Sequence, residues 1–296
     1  MIAGQAMRLT AGRAAPPGAS RLGAAGLVLA GAAGLGGLAG LAGCGDEVPV
    51  FGTAGPVSVM TYNLAGAEDG WRAQALADRV AVRGPELVAL QECVGCDGWL
   101  ARELDGAFAV TALRAGVAVA YDRSLWDAAE EGWISLGEDD DGWGERGAAW
   151  SRLERVEDGT SIYLYSTHWC VPIRRPDDGC TAERQVDYAR AVVDHIAARA
   201  HPQVPVVLAG DLNVFDGFED ALAMRELRDA GLVDVLRVVD PVGVATTFEG
   251  NDWAPPGRID YILAAAPVRV LSAAVDRDPA DDGASDHHPV LATLAF

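Results

Sequence analysis

Residues 205–214 constrain the fold most, because an apolar run ends there in a glycine and two polar side chains. Residues 206–209 have the short, β-branched character of a buried strand, and Gly210 would allow a tight turn where that strand leaves the core. Residues two apart on an extended chain point the same way, so we expect Asp211 and Asn213 to face one site. A carboxylate that can hold a water or a metal would then lie beside an amide that can donate to an oxyanion. The alternative interpretation is an Asx turn after the strand.

Other apolar, strand-like runs also end at or near polar residues, namely Asn63, Glu92, His168, Asp260 and the pair Asp286-His287. Glu92 is the sharpest of these signals, because a carboxylate at the end of a buried strand is costly unless it is paired or bound to a metal. Hard divalent cations such as Mg²⁺ take carboxylate oxygens as ligands. A lone asparagine or histidine is more often structural. Asn63 and His168 are therefore candidate functional residues only because the other polar residues of the set accompany them.

In their order along the chain, these residues resemble the endonuclease/exonuclease/phosphatase superfamily of metal-dependent phosphoesterases. That superfamily includes deoxyribonucleases, apurinic endonucleases, neutral sphingomyelinases and inositol polyphosphate 5-phosphatases. The resemblance covers residues 57–296 and rests on short motifs in the family's order, such as Arg258-Ile259-Asp260-Tyr261. It implies an α/β fold, a four-layer sandwich of two mixed, mainly antiparallel β-sheets flanked by helices. Periodicity alone predicts one α/β domain.

The resemblance also implies a role for each polar residue. The metal ligands would be Glu92, Asn63 and Asp286, holding Mg²⁺ or, as alternatives, Mn²⁺ or Ca²⁺. The catalytic set would be His168, Asp211, Asn213, Asp260 and His287. Asp211 would orient or deprotonate the attacking water, and Asp260 would orient the catalytic imidazole. The remaining members would donate hydrogen bonds to the phosphoryl oxygens as charge develops.

The N-terminal 43 residues have the order of a secretory signal, with three arginines before a chargeless run at 22–43. The run closes with Leu-Ala-Gly before Cys44, which resembles a bacterial lipoprotein processing site. We therefore expect a lipoprotein signal peptide at 1–43, a lipidated Cys44 with a tether at 44–56, and the catalytic domain at 57–296. Two acyl chains would anchor the exported protein stably to the bacterial cell envelope. The alternative is an uncleaved transmembrane anchor, because the run is just long enough to span a bilayer.

Charge and cysteine content narrow the function classes. The formal charge is −20, and it becomes −23 once the three arginines of the leader are removed. Such a surface repels polyanions, and tight nonspecific DNA binding needs a basic track, of which Arg174-Arg175 is the nearest approach.

An exported compartment permits disulfides, and the four remaining cysteines are Cys93, Cys96, Cys170 and Cys180. They allow three pairings, of which we favour Cys93–Cys96 and Cys170–Cys180; a redox motif or half a zinc site is the alternative for the first pair.

Two functional hypotheses follow from different classes. The first is an exported, membrane-anchored phosphoesterase that acts by direct attack of an activated water. The second is a catalytically inactive member of the superfamily that serves as a membrane-tethered binding module. The presence of every expected polar position favours the enzyme, and a serine hydrolase is disfavoured because no Gly-x-Ser-x-Gly motif occurs. A monomer is expected, while DNA, nucleotide, phospholipid and sugar or inositol phosphate all remain open as substrates.

Overall fold

The structure, a computed structural model, describes residues 55–68, 70–139, 144–172, 180–201, 203–216, 221–243, 245–252, 254–277 and 283–296. The predicted leader, Cys44 and most of the tether lie outside these residues, as do Arg174 and Arg175. In chain order the elements are β1 (Val57–Asn63), α1 (Gly70–Arg83), β2 (Leu87–Gln91), α2 (Cys96–Glu103), β3 (Phe108–Arg114), β4 (Val117–Asp122), β5 (Trp126–Asp139), β6 (Gly144–Arg155), β7 (Ser161–His168), α3 (Ala182–Arg199), β8 (Val206–Asp211), α4 (Leu222–Asp229), β9 (Leu232–Asp234), α5 (Val235–Val239), β10 (Asp260–Ala265), β11 (Arg269–Val275) and β12 (Val290–Ala295).

The strands form two sheets of six, in the orders β11-β12-β1-β2-β4-β3 and β5-β6-β7-β8-β10-β9. Each sheet contains one parallel pair among the described strands, β1 with β2 and β7 with β8. All the other pairs are antiparallel. The predicted pair of mixed, mainly antiparallel sheets is therefore confirmed.

The alternation of apolar residues along the strands explains the layers. Val59 on β1 and Ala209 on β8 both belong to the core between the two sheets. Met60, one residue after Val59, packs instead in the core that includes α1 and α2, and Leu208 packs in the core that includes α3 and α4. Successive side chains on a strand point to opposite faces, so each central strand is buried on both sides. The result is the four-layer sandwich that the resemblance implied.

The predicted strand at 206–209 is present as the longer β8. Thr181 is the N-cap of α3, where its side chain accepts a hydrogen bond from the Arg184 backbone nitrogen. The sequence pattern predicts no element at α2, α5 or the long strand β5. Gly210 lies inside β8 rather than at a turn. Its lack of a side chain matters because a Cβ there would lie 2.0 Å from the Thr167 carbonyl oxygen on the neighbouring strand.

Within the described residues, no helix is both long enough and apolar enough to cross a membrane.

Candidate active site

The ends of the central strands bring the predicted polar residues to one edge of the sandwich. β1 and β2 run parallel, so Asn63 and Glu92 leave the first sheet at the same edge. β7 and β8 also run parallel and end at His168 and Asp211, which are paired in register. β10 runs in the opposite direction and begins at Asp260, directly opposite Asp211. Polar side chains that are far apart in the sequence are thereby collected at one place.

Asn63 joins the two sheets across this edge. Its Nδ2 donates to Asp211 Oδ2 at 3.1 Å and lies 3.3 Å from Glu92 Oε1. Its Oδ1 accepts a hydrogen bond from the Ala65 backbone nitrogen at 2.9 Å, which fixes the orientation of the amide. Because Asn63 is fully buried, these bonds satisfy an amide that would otherwise be costly to enclose. One carboxamide therefore positions two carboxylates from different sheets.

Glu92 is held in an unusual backbone conformation at the end of β2. Its φ is +49°, in the left-handed region that favours glycine, and Asn213 after β8 has φ +50°. Such conformations at non-glycine residues carry strain and concentrate at functional sites. Burial raises the pKa of Glu92, partly offset by the charge of His287 and the hydrogen bond from Asn63, and the nearby charge of Asp286 raises it further. A partly buried carboxylate with a raised pKa favours a bound cation or a proton.

His287 and Asp260 form a buried pair. Nδ1 of His287 lies 2.9 Å from Oδ2 of Asp260, and both side chains are nearly inaccessible to solvent. Burial lowers the pKa of His287, but the charge and hydrogen bond of Asp260 and the charge of Asp211 outweigh it and raise that pKa to about 10. The imidazole is therefore charged at neutral pH and presents Nε2 as a donor.

Asp211 lies between the two histidines. Its Oδ2 is 3.5 Å from His168 Nε2 and 3.8 Å from His287 Nε2. Burial and then the charge of Asp260 raise the pKa of Asp211 to about 8, in spite of the positive charge of His287. For His168 the direction is opposite, because burial and then the charge of Arg146 lower the pKa. The two histidines therefore differ in charge at neutral pH, His168 being neutral.

The two interpretations of residues 211–213 are both correct in part. The Asn213 backbone nitrogen donates to Asp211 Oδ1 at 3.0 Å, which is an Asx turn. The same turn leaves Asp211 Oδ2 facing Asn63 and the histidines. Asn213 Nδ2 donates to the Trp169 carbonyl oxygen at 2.9 Å, so this contact orients the amide. Asn213 and Asp211 both line a cavity of about 280 Å³ at this edge.

The loop before β12 places the last pair of predicted residues. The Ser285 hydroxyl donates to the Asn63 carbonyl oxygen at 2.7 Å and accepts from the His287 backbone nitrogen at 3.0 Å. This serine thus ties the loop to the end of β1. The side chain of Asp286 is 45% exposed, and Oδ1 lies 4.0 Å from His287 Nε2. Six of the eight predicted residues therefore line one cleft, and the other two, Asn63 and Asp260, contact Asp211 and His287 of its lining.

Three further residues support this cleft and were not predicted. Two of them are Ser285 and Arg72. Arg72 on α1 donates to the backbone oxygens of Leu64, Ala65 and Ala284, so it ties together the loops that follow β1 and precede β12. The third is Arg146 on β6, which is 3% exposed. Its charge lowers the pKa of His168 and opposes the rise at Glu92. Arg146 directly precedes the apolar stretch 147–150 of β6, which was the signal available in the sequence.

Both predicted disulfides are present and lie next to the cleft. Cys93 directly follows Glu92 and is bonded to Cys96. Cys170 lies two residues after His168 and is bonded to Cys180. Each bridge therefore begins within two residues of a predicted site residue at the end of a strand.

The oxygen atoms that could act as metal ligands at the cleft are of a type that suits a divalent metal ion. Carboxylate oxygens of Glu92 and Asp286 are hard ligands of the type that Mg²⁺, Mn²⁺ and Ca²⁺ accept. The third predicted ligand, Asn63, presents Nδ2 rather than its oxygen to Glu92, because Oδ1 accepts from the Ala65 backbone nitrogen. Asp211, Asp260 and His287 also lie close enough together to hold an ion, with ligand atoms within 4.8 Å of one another. The contact with Asp260, however, raises the pKa of His287 to about 10, and a proton on the imidazole competes with metal binding. The side of the cleft at Glu92 is thus the better candidate.

A four-layer sandwich with acids, histidines and amides gathered at one edge defines the class of two-sheet phosphoesterase folds. The model of the Endonuclease/Exonuclease/phosphatase family matches residues 60–287, and the chain belongs to this family. No curated protein matches the sequence.

Solved structures share the fold at low sequence identity. An endonuclease/exonuclease/phosphatase from Bacteroides vulgatus is 19% identical, with a TM-score of 0.67 over 81% of this chain and 99% of that chain. The mannosyl-6-phosphatase of Bacteroides thetaiotaomicron VPI-5482 is 20% identical, with a TM-score of 0.63 over 81% and 100%. TDP2 of D. rerio, solved in complex with a single-strand DNA product, is 18% identical, with a TM-score of 0.62 over 82% and 100%.

Proposed function

We propose that this protein is a divalent-metal-dependent phosphoesterase that hydrolyses a phosphodiester or phosphomonoester by direct attack of water. The observation that carries the proposal is the contact of Asp211 with both histidines, one charged and one neutral. Neighbouring groups whose pKa values are pushed apart are typical of acid and base roles. The names of similar structures include a phosphatase of a phosphosugar and a protein bound to a DNA product, so both ester types are consistent with this fold.

The side chains divide the reaction between them. Asp211 in its ionised form would accept a proton from the attacking water and aim the water at phosphorus. His287, charged and oriented by Asp260, would donate Nε2–H to a phosphoryl oxygen as negative charge develops. His168 and Asn213 would contact the other oxygens. A divalent ion held by Glu92, with Asn63 and Asp286 beside it, would neutralise the phosphate and stabilise the leaving oxygen, and Mg²⁺ is the ion we expect.

A panel assay tests this function. The purified full chain is assayed against plasmid DNA, sphingomyelin, sugar phosphates and bis-p-nitrophenyl phosphate, with Mg²⁺ and with EDTA, beside Asp211→Ala. We expect turnover of at least one substrate that is lost in EDTA and in the variant. Turnover that persists in EDTA would contradict the metal requirement. A folded protein that binds Mg²⁺ but turns over no substrate in this or a broader panel would favour the inactive binding module.

We further propose that the protein is exported and lipid-anchored through Cys44 to the bacterial cell envelope. The proposal rests on the sequence of the leader, and the two disulfides beside the cleft are consistent with an oxidising compartment. In a bacterial host, Cys44→Ser should abolish incorporation of labelled fatty acid and release the protein from the membrane fraction. Labelling that persists in this variant would contradict the assignment of Cys44.

A further inference from the structure

The cleft has an apolar portion that the proposed hydrolysis does not use. Beside the polar residues, its lining includes Val171, Phe215, Phe248 and Ala254. No described residue of this lining is an arginine, and the described cations that act on the cleft are His287 and the buried Arg146, whose charge reaches Glu92 and His168. A substrate with several phosphates would place its extra charges near the carboxylates of Glu92 and Asp286, which would repel them. The lining therefore suits a single phosphate attached to an apolar group.

A second cavity adjoins the first at Phe215. It has a volume of about 420 Å³, and its lining includes Met224, Leu227, Leu232 and Leu263. Phe215 is the one described residue that lines both cavities. Its ring therefore forms a wall between the catalytic cleft and a larger apolar space.

Two of the three arginines that line the second cavity are paired with aspartates of the same lining. Arg258 pairs with Asp234, and Arg237 pairs with Asp216. The third, Arg228, is an exposed residue of α4. Most of the other lining residues are apolar, so the second cavity can accept an alkyl chain.

The Phe215 wall is held in place by its neighbours. A Cβ at Gly257 would lie 2.6 Å from Phe215 Cδ1, so the ring packs directly on this glycine. The preceding residue is fixed as well, because the Tyr261 hydroxyl donates to the Val214 carbonyl oxygen at 2.6 Å. Phe215 also packs against the buried cluster of Phe248, Ala254 and Ile259.

We propose that Phe215 is a specificity-determining residue that limits the length of an apolar ester group bound next to the phosphate. The group lies along Val171 and Ala254 and stops at the Phe215 ring, which closes the way to the second cavity. The inference rests on the proposed function, because the phosphate must be held at Asp211 and His287. The substrate class is then a phosphoester with one phosphate on a short apolar group.

Calorimetric binding of a homologous series tests this limit without any turnover. The full chain, in a fixed detergent concentration with Mg²⁺, is titrated with n-alkylphosphonates from methyl to decyl. We expect Kd to fall about fourfold for each methylene that is buried and to level off once the chain reaches Phe215. In Phe215→Ala the fall should continue into the second cavity, so that the longest members bind at least ~tenfold more tightly than to the wild type.

Two more variants make the test specific to the wall. Val238 lines the second cavity and is 48% exposed, so it can accept a charge without burying it. Phe215→Ala combined with Val238→Glu should therefore lose the gain for long chains. Phe215→Trp, which enlarges the wall, should shorten the chain length at which Kd levels off. This variant serves as the test if Phe215→Ala does not give a cooperative thermal transition.

The apolar subsite is the part of the cleft along Val171 and Ala254 that ends at Phe215. The possible results distinguish a failure of this subsite from a failure of the proposed function. A wild-type Kd that is independent of chain length, or equal profiles for the wild type and the Phe215 variants, would overturn the subsite alone. Tighter binding of mannose 6-phosphate than of hexylphosphonate would also overturn it. Failure of every phosphonate to bind in Mg²⁺ would remove the phosphoryl site, and with it both the proposed function and the subsite.

Discussion

Replacing Asp260 by asparagine tests whether the charge of His287 is needed for the reaction. Asp260 is 1% exposed, and its Oδ2 lies 2.9 Å from His287 Nδ1. Burial by itself lowers the pKa of His287, and Asp260 is the main group that raises it to about 10. Asp260→Asn keeps the shape of the side chain but removes this charge. The imidazole should then be largely neutral at pH 7.

The size of the effect follows from the donor that is lost. One preorganised donor to a developing anion contributes about 2.7–4 kcal/mol, so kcat should fall by about 10²–10³. The asparagine side chain also introduces an NH₂ group, for which neither position of the former carboxylate offers a described hydrogen-bond acceptor. Asp260 Oδ1 is buried without a described hydrogen-bond partner, so an NH₂ group there would be unsatisfied. If the NH₂ group faced His287 instead, two hydrogen-bond donors, the NH₂ group and the Nδ1–H of the imidazole, would face each other. Either arrangement costs about 1–3 kcal/mol of folding free energy.

The assay combines kinetics with a direct titration. Steady-state kcat and KM are measured at saturating Mg²⁺, and the His287 imidazole is titrated by NMR in the same variant. Asp158→Asn is the matched control, because Asp158 lies in the turn at the opposite end of β7 from His168. We expect kcat to fall with little change in KM and the pKa of His287 to drop. A kcat within threefold of the wild type, together with a His287 pKa still near 10, would refute the reasoning.

Three further predictions concern the metal, the disulfides and pH. Glu92→Gln should weaken Mg²⁺ binding by at least ~tenfold in calorimetry, and unchanged affinity would move the metal site elsewhere. The double variant Cys170→Ser with Cys180→Ser opens a loop with a sequence separation of 10 and should lose about 2–3 kcal/mol of unfolding free energy in urea; no loss would contradict a stabilising bridge. In EDTA, the free energy of unfolding should decrease from pH 6.5 to pH 10. The pKa values of His287, about 10, and Asp211, about 8, both lie above their usual values, so the folded state holds these protons more tightly. A flat pH profile would show that neither shift is real.

The sequence predicted the strand ends at the cleft well, because β1, β2, β7 and β8 each stop at a polar residue and β10 begins at one. The change from Val207 and Leu208 to Asp211 is a local signal, and the same holds for the run that ends before Glu92. That these ends meet is not a local signal. Asn63 and Asp211 are 148 positions apart, and only the packing of one sheet on the other brings them within hydrogen-bond distance. The resemblance to a known family supplied that information.

The missed elements lack the pattern on which the prediction depended. β5 is an edge strand rich in charged residues, and its register with β6 shifts twice, at 128–130 and 135–137. Irregular pairing of this kind breaks strict alternation. α5 has only five residues, too few for a helical period to be seen. Arg146 was missed because its charge acts across space on Glu92 and His168.

The most direct test of the central claim is the rate of bis-p-nitrophenyl phosphate hydrolysis as Mg²⁺ is added to the EDTA-treated full chain, beside Asp211→Asn. This substrate carries a single phosphate between apolar groups, so it matches the proposed chemistry and the proposed subsite. The account predicts a rate that rises from background to saturation with Mg²⁺ and is reduced at least ~100-fold in the variant. Equal rates for the variant and the wild type, or a rate that does not depend on added metal, would contradict it.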